Sequence, residues 1–278
     1  MKVFKQNKNL RKFISCQRKD LKIGLVATMG ALHEGHISLI NSSKKKCDIT
    51  ICSIFVNPTQ FNNEQDFKNY PKNIEEDLKT LETVKCDIVY NPNYDDIYLP
   101  KEKKKKFDLR GLDKILEGKY RYGHFDGVAT IVEKLFEIIR PNFAFFGYKD
   151  LQQLMVVKML VKNKNIRTKI VGCETIREKN GLAMSSRNQL LSKEDFKKSS
   201  KIYQQLKFCK ENFTENTLEE MKKIVLNNLN KSNFKVEYFE FIDLNNFSIL
   251  QKKADGIKYA ACIAVVISGV RLIDNIIL

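Results

Sequence analysis

The sequence predicts an α/β protein built on a parallel β-sheet, followed by a smaller α+β region. Residues 23–27 form a short apolar run, and residues 48–55 carry apolar side chains on both faces of a predicted strand, which is typical of strands covered by helices. A glycine-containing loop and a helix-like segment follow the first of these strands. After about residue 192, predicted helices are followed by predicted strands, which favours an α+β arrangement there.

The composition indicates a globular chain. Its 278 residues suggest one large or two ordinary domains, and 43% of them are hydrophobic. The longest apolar run, residues 260–267, is too short to span a bilayer, and residues 1–18 lack the apolar segment of a signal peptide. The seven cysteines show no Cys-x-x-Cys spacing. We therefore expect buried, reduced thiols in a cytoplasmic protein, with neither a disulfide framework nor a zinc site.

The net charge of +16, from 49 basic and 33 acidic residues, permits two interpretations. One is nucleic-acid binding, and the other is a lysine-rich surface whose field attracts anionic substrates. The densest cluster, Lys101 and residues 103–106, is not interleaved with aromatic residues as a base-stacking surface would be. We therefore predict a solvated loop here, with small-molecule substrates and neither nucleic acid nor membrane as partners.

The loop after the first strand is the main candidate for a functional site. Gly30 and Gly35 allow close approach of a ligand to the backbone, and the following helix N-terminus favours an anion. His33 and His36 add two donors, so the segment suits a polyphosphate. The alternative is a pair of surface histidines at a helix start. The chain has only three histidines, and the third, His124, lies in a second glycine-bracketed segment.

A second strand–glycine–helix junction lies at residues 143–161. Lys149 is a point charge suited to a phosphate, and Asp150 is either a ribose ligand or an ordinary helix cap. In the later segment 180–188, two serines and an arginine are either a phosphate clamp or a solvated loop.

Three further polar groups have both a functional and a structural interpretation. Asn57 and Gln60 follow the second strand, where ligands of parallel sheets bind, but Asn57-Pro58 also favours a simple turn. Glu117 and Arg121 have the spacing of a helical ion pair or of groups that recognise a zwitterion. Asp77 either compensates a helix dipole or helps hold magnesium.

The remaining elements follow from periodicity and from turn residues. Residues 1–20 have a loose helical spacing, residues 62–70 predict a mobile loop, and Gly269 predicts a hairpin turn into residues 270–273. Further helices are predicted over residues 71–84, 128–140, 151–161, 193–211 and 217–230, and further strands over 88–90, 143–146, 169–172, 234–242 and 259–267.

Seven of these segments, in order, resemble the pantothenate synthetase (pantoate–β-alanine ligase) family. They are residues 28–36, 55–61, 70–71, 123–128, 146–153, 181–188 and 271–275. The resemblance covers nearly the whole chain. It implies a Rossmann-like domain of the nucleotidyltransferase type over residues 1–175, which binds ATP and pantoate, and a lid domain over residues 176–278. It also implies a homodimer, and Mg²⁺ with ATP as co-substrate.

The family's reaction has two steps: ATP and pantoate give pantoyl adenylate and pyrophosphate, and the amine of β-alanine then displaces AMP. The resemblance implies roles for five sets of residues. The catalytic and phosphate-contacting residues would be His33, His36, Lys149, Ser185, Ser186 and Arg187. Other ATP contacts would be Met29, Gly30, Gly147, Tyr148, Asp150, Ile176 and Met184. Pantoate would bind at Met29, Gln60, Phe61, Val128, Val132 and Gln153. The intermediate and β-alanine would meet at Asn57, Tyr70, Glu117 and Arg121, with Asp77 as the protein contact of magnesium.

The chain departs from the usual family pattern at four positions. Ala27 and Tyr122 replace prolines, Lys72 replaces an arginine, and Tyr148 replaces a glutamate. None of these changes removes a group expected to face phosphate. The rival interpretations are another nucleotidyltransferase with a His-x-Gly-His loop, a class I aminoacyl-tRNA synthetase and an RNA-binding protein. The first would leave the segments around Gln60 and Gln153 unexplained, and the second normally needs a longer chain.

Overall fold

The computed structural model describes residues 1–17, 20–98, 105–232 and 234–278. Lys101, Lys103 and Lys104 of the predicted solvated loop lie outside the described residues. The chain forms two compact units: Met1–Gly147 with Gln152–Glu174, and Tyr148–Leu151 with Thr175–Leu278. The assignment of residues 1–175 to an ATP- and pantoate-binding domain and of residues 176–278 to a lid stays a prediction.

The first unit contains a six-stranded parallel sheet, which confirms the predicted fold class. Its strand order is β1-β4-β3-β2-β5-β6. The strands are β1 (Lys2–Phe4), β2 (Ile23–Thr28), β3 (Ile49–Ile54), β4 (Ile88–Tyr90), β5 (Phe143–Gly147) and β6 (Lys169–Cys173). The order changes direction at β2, whose neighbours are β3 and β5. In open parallel sheets, the carboxyl ends of strands at such a switch point form the ligand crevice.

Within the described ranges of this unit, eight helices connect or cover these strands. They are α1 (Asn7–Ser15), α2 (Glu34–Lys44), α3 (Glu64–Lys68), α4 (Ile74–Thr83), α5 (Tyr94–Ile97), α6 (Leu116–Tyr120), α7 (His124–Ile139) and α8 (Leu151–Asn163). Helix α2 packs on the sheet through Ile37 and Ile40, which join Val26, Cys52 and Phe145 in one buried cluster. This packing holds the loop before α2 over the end of β2.

Two local predictions in this unit were wrong. Residues 2–4 form an edge strand, because their backbone pairs in parallel with β4, and the helix starts only at Asn7. The segment expected to be a loop contains the short helix α3, whose start is capped by the Asn63 side chain accepting the Gln65 N–H at 2.8 Å. Asparagine caps of this kind stabilise even short helices.

The second unit has the predicted α+β composition. Helices α9 (Lys193–Lys198), α10 (Ser200–Glu211) and α11 (Leu218–Asn230) precede an antiparallel sheet of β7 (Lys235–Asp243), β8 (Tyr259–Ile267) and β9 (Val270–Ile277). The predicted helix 193–211 is interrupted at Ser199. The predicted hairpin turn at Gly269 is confirmed, with Ser268 and Gly269 both at positive φ.

All seven cysteines are free thiols, and five of them are buried. Burial raises the pKa of Cys86 to about 11 and that of Cys209 to about 12, so both stay protonated and unreactive. Within the described ranges, no helix combines the length and the apolar character needed to cross a bilayer.

Candidate active site

The two histidines of the β2–α2 loop cap helix α2 reciprocally. His33 Nδ1 accepts the backbone N–H of Gly35 at 3.1 Å, and His36 Nδ1 accepts that of His33 at 3.3 Å. The ring centroids lie 4.1 Å apart. Since each Nδ1 is an acceptor, each neutral imidazole carries its proton on Nε2 and donates from that atom. The cap thus fixes two Nε2–H donors at a helix N-terminus, as a polyphosphate site requires.

The backbone of this loop is fixed by Asp77 of helix α4. Its two carboxylate oxygens accept the N–H groups of Ala31 at 3.0 Å and Leu32 at 2.7 Å. The side chain is buried, and burial raises its pKa although the two hydrogen bonds oppose that shift. Gly30 has a φ of +83°, and a Cβ there would lie 2.8 Å from Asp77 Oδ2. Asp77 therefore has a structural task, and its contact with magnesium stays a prediction.

Replacing Asp77 with alanine is expected to destabilise the protein by about 1–3 kcal/mol, because two loop N–H groups lose their acceptor. Asp77→Asn keeps one acceptor and is expected to destabilise the protein less.

Because folding raises the pKa of the Asp77 carboxyl, its contribution to stability is largest below its unfolded pKa of about 4 and declines as the pH rises through the folded pKa. As the pH rises from the unfolded pKa through the folded pKa, the wild type should therefore lose stability relative to Asp77→Asn. Urea titrations of both proteins at several pH values measure this difference.

Exposed Glu75, two positions away, supplies the control for this experiment. Glu75→Gln is expected to change the free energy of unfolding by less than about 0.5 kcal/mol. A stability difference between wild type and Asp77→Asn that stayed constant with pH would contradict the assigned shift.

Asn57 organises the turn after β3. It is 1% exposed, and its Oδ1 accepts the Tyr98 hydroxyl at 2.7 Å. Its Nδ2 donates to the carbonyl of Gly127 at 3.2 Å and to Gln60 Oε1 at 3.3 Å. The structural interpretation of Asn57-Pro58 as a turn is therefore confirmed, and a role in the β-alanine site stays a prediction.

Helix α7 packs directly on this turn. A Cβ added to Gly127 would overlap the carbonyl oxygen of Thr59 and lie 2.7 Å from the Cα of Gln60. Only glycine permits this approach of the two backbones. The structure thus sets the first turn of α7, which directly precedes Val128, against the backbone of Gln60, which is predicted to bind pantoate.

Other residues of the predicted pantoate site belong to the first unit, where some of them contact each other or Tyr70 of the predicted β-alanine site. Gln60 Nε2 lies 2.6 Å from Met29 Sδ, and the Phe61 ring contacts Tyr70 edge-on with centroids 5.7 Å apart. Val128 and Val132 are buried one helical turn apart on α7. Gln153 is partly buried on α8, and its contact with pantoate stays a prediction.

Glu117 and Arg121 form an ion pair across the end of helix α6, with Oε2 and Nη1 3.7 Å apart. Both side chains are largely buried, so the pair is not an ordinary solvated one. Gln152, one position before the predicted Gln153, accepts the Glu117 N–H at 3.0 Å and donates to the carbonyls of Leu112 and Ile115. No pattern in the sequence indicates this structural role of Gln152. Recognition of a zwitterion by the pair stays a prediction.

In the second unit, Tyr148–Asp150 form a short 3-10 turn. Asn275 of β9 donates from Nδ2 to the carbonyls of Tyr148 at 2.8 Å and Lys149 at 2.9 Å. The Lys149 ammonium lies 3.3 Å from Asp150 Oδ1. Asn275 therefore fixes the backbone from which the predicted phosphate-binding lysine projects. Its segment, 271–275, was among those that resembled the family, but no pattern in the sequence indicated this contact.

Replacing Asn275 with alanine is expected to raise the KM for ATP by about tenfold, because two carbonyls lose their donor and Lys149 loses its fixed backbone. Asn275→Asp is expected to raise the KM for ATP further, since a carboxylate would face both carbonyls. Initial-rate kinetics with varied ATP measure the effect. Asn245→Ala is the matched control, because Asn245 is exposed; an equal rise in both alanine variants would refute the assigned contact.

The segment 176–188 is held by backbone and side-chain bonds within the second unit. The N–H of Met184 donates to the Ile176 carbonyl at 3.0 Å, which brings together the two residues predicted near adenine. Ser185 caps the 3-10 turn Ser186–Leu190 by accepting the Arg187 N–H at 3.3 Å. Ser186 is buried. Phosphate binding by Ser185, Ser186 and Arg187 stays a prediction.

Arg177 and Asp274 anchor this segment through a bidentate pair that sequence reasoning did not single out. The two Nη–Oδ distances are 2.6 and 3.0 Å, and Asp274 is 3% exposed. Arg177 also donates to the carbonyl of Gly181 at 3.1 Å and stacks on the Tyr203 ring at 3.7 Å. Burial raises the pKa of Asp274, and the guanidinium opposes that shift.

The parallel sheet and the histidine-capped helix after its central strand define a Rossmann-like domain of the nucleotidyltransferase type. The family model for pantoate-beta-alanine ligase matches residues 2–277. A pantothenate synthetase of Flavobacterium psychrophilum is 45% identical over 99% of each chain. The chain belongs to the pantoate–β-alanine ligase family.

Two solved structures support this assignment. Pantothenate synthetase from Thermus thermophilus is 31% identical, with a TM-score of 0.92 over 99% of both chains. Pantoate–β-alanine ligase from Francisella tularensis, complexed with beta-gamma ATP and β-alanine, is 38% identical, with a TM-score of 0.83 over 100% of this chain and 97% of that one.

Proposed function

We propose that the protein condenses pantoate with β-alanine to pantothenate at the expense of ATP, which is cleaved to AMP and pyrophosphate. The observation that carries the proposal is the pair of histidine Nε2–H donors fixed at the N-terminus of α2, together with full-length membership of the ligase family. The product is the vitamin used for coenzyme A biosynthesis. ATP and β-alanine as ligands are supported by the Francisella tularensis relative, and pantoate by the family name.

In the first step, a pantoate carboxylate oxygen attacks the α-phosphorus of ATP, and the bond to the bridging oxygen of pyrophosphate breaks. A carboxylate is ionised near neutral pH, so it needs no general base. Catalysis therefore depends on alignment and on donors that stabilise charge on the phosphates. We assign this task to the Nε2–H groups of His33 and His36, with Lys149, Ser185, Ser186 and Arg187 as further phosphate contacts.

Substrate positions follow from the same assignment. Gln60 and Gln153 would bind the hydroxyl and carboxylate groups of pantoate, while Met29, Phe61, Val128 and Val132 would contact its apolar part. Gly147 and Asp150 would hold the ribose, Ile176 and Met184 would contact the adenine, and Gly30 and Tyr148 would be further ATP contacts. In support, the Gln60 side-chain amide lies against the Met29 sulfur, and the Met184 backbone N–H donates a hydrogen bond to the Ile176 carbonyl.

In the second step, the unprotonated amine of β-alanine attacks the carbonyl carbon of pantoyl adenylate, the acyl–oxygen bond breaks, and AMP leaves. The amine releases one proton to water as the amide forms, and AMP departs as its phosphate anion. Asn57, Tyr70, Glu117 and Arg121 would surround this reaction. Glu117 and Arg121 carry opposite charges, which suits the two ends of a zwitterionic amino acid.

The described residues suit a magnesium ion that binds together with ATP. The described ranges contain no group of three His, Cys, Asp or Glu side chains able to hold a metal, whereas one carboxylate with substrate phosphates is a common Mg²⁺ environment. Asp77 is the oxygen donor we assign to it. Bound with ATP, the ion would neutralise charge on the leaving pyrophosphate.

We also propose a cytoplasmic homodimer, in keeping with the family and with seven free thiols. Light scattering coupled to size-exclusion chromatography tests the oligomeric state. A mass of one 32.4 kDa chain at micromolar concentration would refute the dimer.

Pyrophosphate release from Mg-ATP, with and without pantoate, tests the proposed function. We expect release to require pantoate, and AMP and pantothenate to accumulate when β-alanine is added. Release that does not depend on pantoate, but depends on another acceptor, would favour a different nucleotidyltransferase. Absence of release, combined with salt-sensitive RNA binding, would refute the enzyme assignment.

A further inference from the structure

His124, the third histidine of the chain, has no role in the assignments above. It is the first residue of helix α7 and is 6% exposed. Its Nδ1 lies 2.7 Å from the backbone carbonyl oxygen of Gln60, and its Nε2 lies 3.0 Å from Nη1 of Arg121. The imidazole therefore connects the turn that carries Gln60 with the ion pair of Arg121 and Glu117.

The chemistry of the two partners fixes the protonation of this ring. A carbonyl oxygen only accepts hydrogen bonds, so Nδ1 must carry a hydrogen. A guanidinium only donates, so Nε2 must present its lone pair. His124 is thus the neutral Nδ1–H tautomer. His33 and His36 show the opposite arrangement, since their Nδ1 atoms accept backbone N–H groups.

We propose that His124 is a positioning residue whose two ring nitrogens act independently. One orients a residue that we assign to pantoate, and the other orients a residue that we assign to β-alanine. Nδ1–H holds the Gln60 backbone, and with it the side chain that we assign to pantoate. Nε2 holds the guanidinium of Arg121, which we assign to β-alanine. This division of tasks rests on the proposed function, whereas the tautomer rests on the hydrogen-bond geometry alone.

The packing around the ring supports a fixed geometry. The His124 and Phe125 ring centroids lie 5.0 Å apart. The same helical turn contacts the Gln60 turn a second time, because Asn57 donates to the Gly127 carbonyl. The Gln60 side chain contacts Asn57 and Met29, so displacement of its backbone carries over to the residues around it.

Nitrogen-15 NMR of the histidine side chains tests the tautomer without reference to activity. The chain has only three histidines, so each long-range proton–nitrogen pattern is separable, and His124→Gln identifies the one that disappears. At neutral pH we expect His33 and His36 to show the Nε2–H pattern and His124 the Nδ1–H pattern. An Nε2–H or doubly protonated His124 would overturn the proposal.

Two isosteric variants test the division of tasks. The asparagine amide overlies Nδ1 and the glutamine amide overlies Nε2, so His124→Asn keeps the Gln60 contact and His124→Gln keeps the Arg121 contact. For His124→Asn we expect pantoate-dependent pyrophosphate release within about twofold of wild type and a KM for β-alanine raised about tenfold. For His124→Gln we expect the reverse, with the KM for pantoate raised about tenfold.

The control is Tyr122→Phe, which removes a hydroxyl from a side chain 82% exposed and two residues away, and should leave both KM values unchanged. Equal losses in both half-reactions for both His124 variants would mean that the residue is only structural, and would overturn the proposal. Failure of the wild type to release pyrophosphate with pantoate would instead refute the proposed function, while the NMR result would still decide the tautomer.

Discussion

Replacing His36 with asparagine is expected to slow formation of the pantoyl adenylate by about 10²- to 10³-fold while leaving the protein folded. The asparagine Oδ1 can take the place of Nδ1 and accept the His33 N–H, so the cap of helix α2 is kept. The Nε2–H donor is lost, and with it one of the hydrogen bonds that stabilise charge on the departing pyrophosphate. Rapid-quench measurement of pyrophosphate in a single turnover reports this step directly.

His36→Gln is the matched control for this variant. Glutamine can place an amide N–H near the position of Nε2 but cannot accept the His33 N–H through the Nδ1 position. We expect it to retain more adenylation activity than His36→Asn and to lose about 1 kcal/mol of stability through the broken cap. A His36→Asn enzyme with normal single-turnover rates would remove this histidine from the phosphate site.

Replacing Arg177 with alanine is expected to lower the free energy of unfolding by about 3–5 kcal/mol, because it leaves the buried carboxylate of Asp274 without its counter-ion. Loss of the contact with the Gly181 carbonyl and of the stacking on Tyr203 adds to the effect. The chain contains no tryptophan, so urea unfolding followed by circular dichroism is the suitable measurement.

Arg271→Ala provides the comparison within the same unit. Arg271 pairs with Glu237 at 2.7 Å, but both side chains are about one-fifth exposed. Partly solvated pairs contribute little, so we expect a loss of about 1 kcal/mol or less. The double variant Arg177→Ala/Asp274→Ala should recover part of the stability lost in Arg177→Ala, since no unpaired charge is then buried. Similar losses of stability in the Arg177 and Arg271 variants would contradict the expectation that the buried ion pair contributes more than the partly exposed one.

Much of the fold could be predicted because local pattern and tertiary environment agree. The apolar runs at β2 and β3 predicted strands buried on both faces, and they lie at the centre of the sheet. Gly269 predicted a hairpin, and the turn has the positive φ values that glycine favours. Where the pattern was weak, as in the three-residue edge strand β1, pairing with β4 decided the structure.

The candidate site was predictable as a set of residues but not as a set of contacts. Glycines beside His33 and His36 indicated a phosphate loop, yet the reciprocal cap that fixes both tautomers depends on ring geometry. Asp77 is close to the loop only because α4 packs there, 45 residues away in sequence. Asn275 reaches the Lys149 backbone across 126 residues. Contacts of such separation leave no periodic signal in one sequence.

Oxygen-18 transfer shows whether pantoate is activated as an acyl adenylate. Pantoate labelled with oxygen-18 at both carboxylate positions is incubated with Mg-ATP, β-alanine and the protein, and the products are analysed by mass spectrometry. We expect one labelled oxygen in the phosphate of AMP, and the other in the amide carbonyl of pantothenate. Unlabelled AMP, or label in inorganic phosphate with formation of ADP, would contradict attack of the carboxylate on the α-phosphorus.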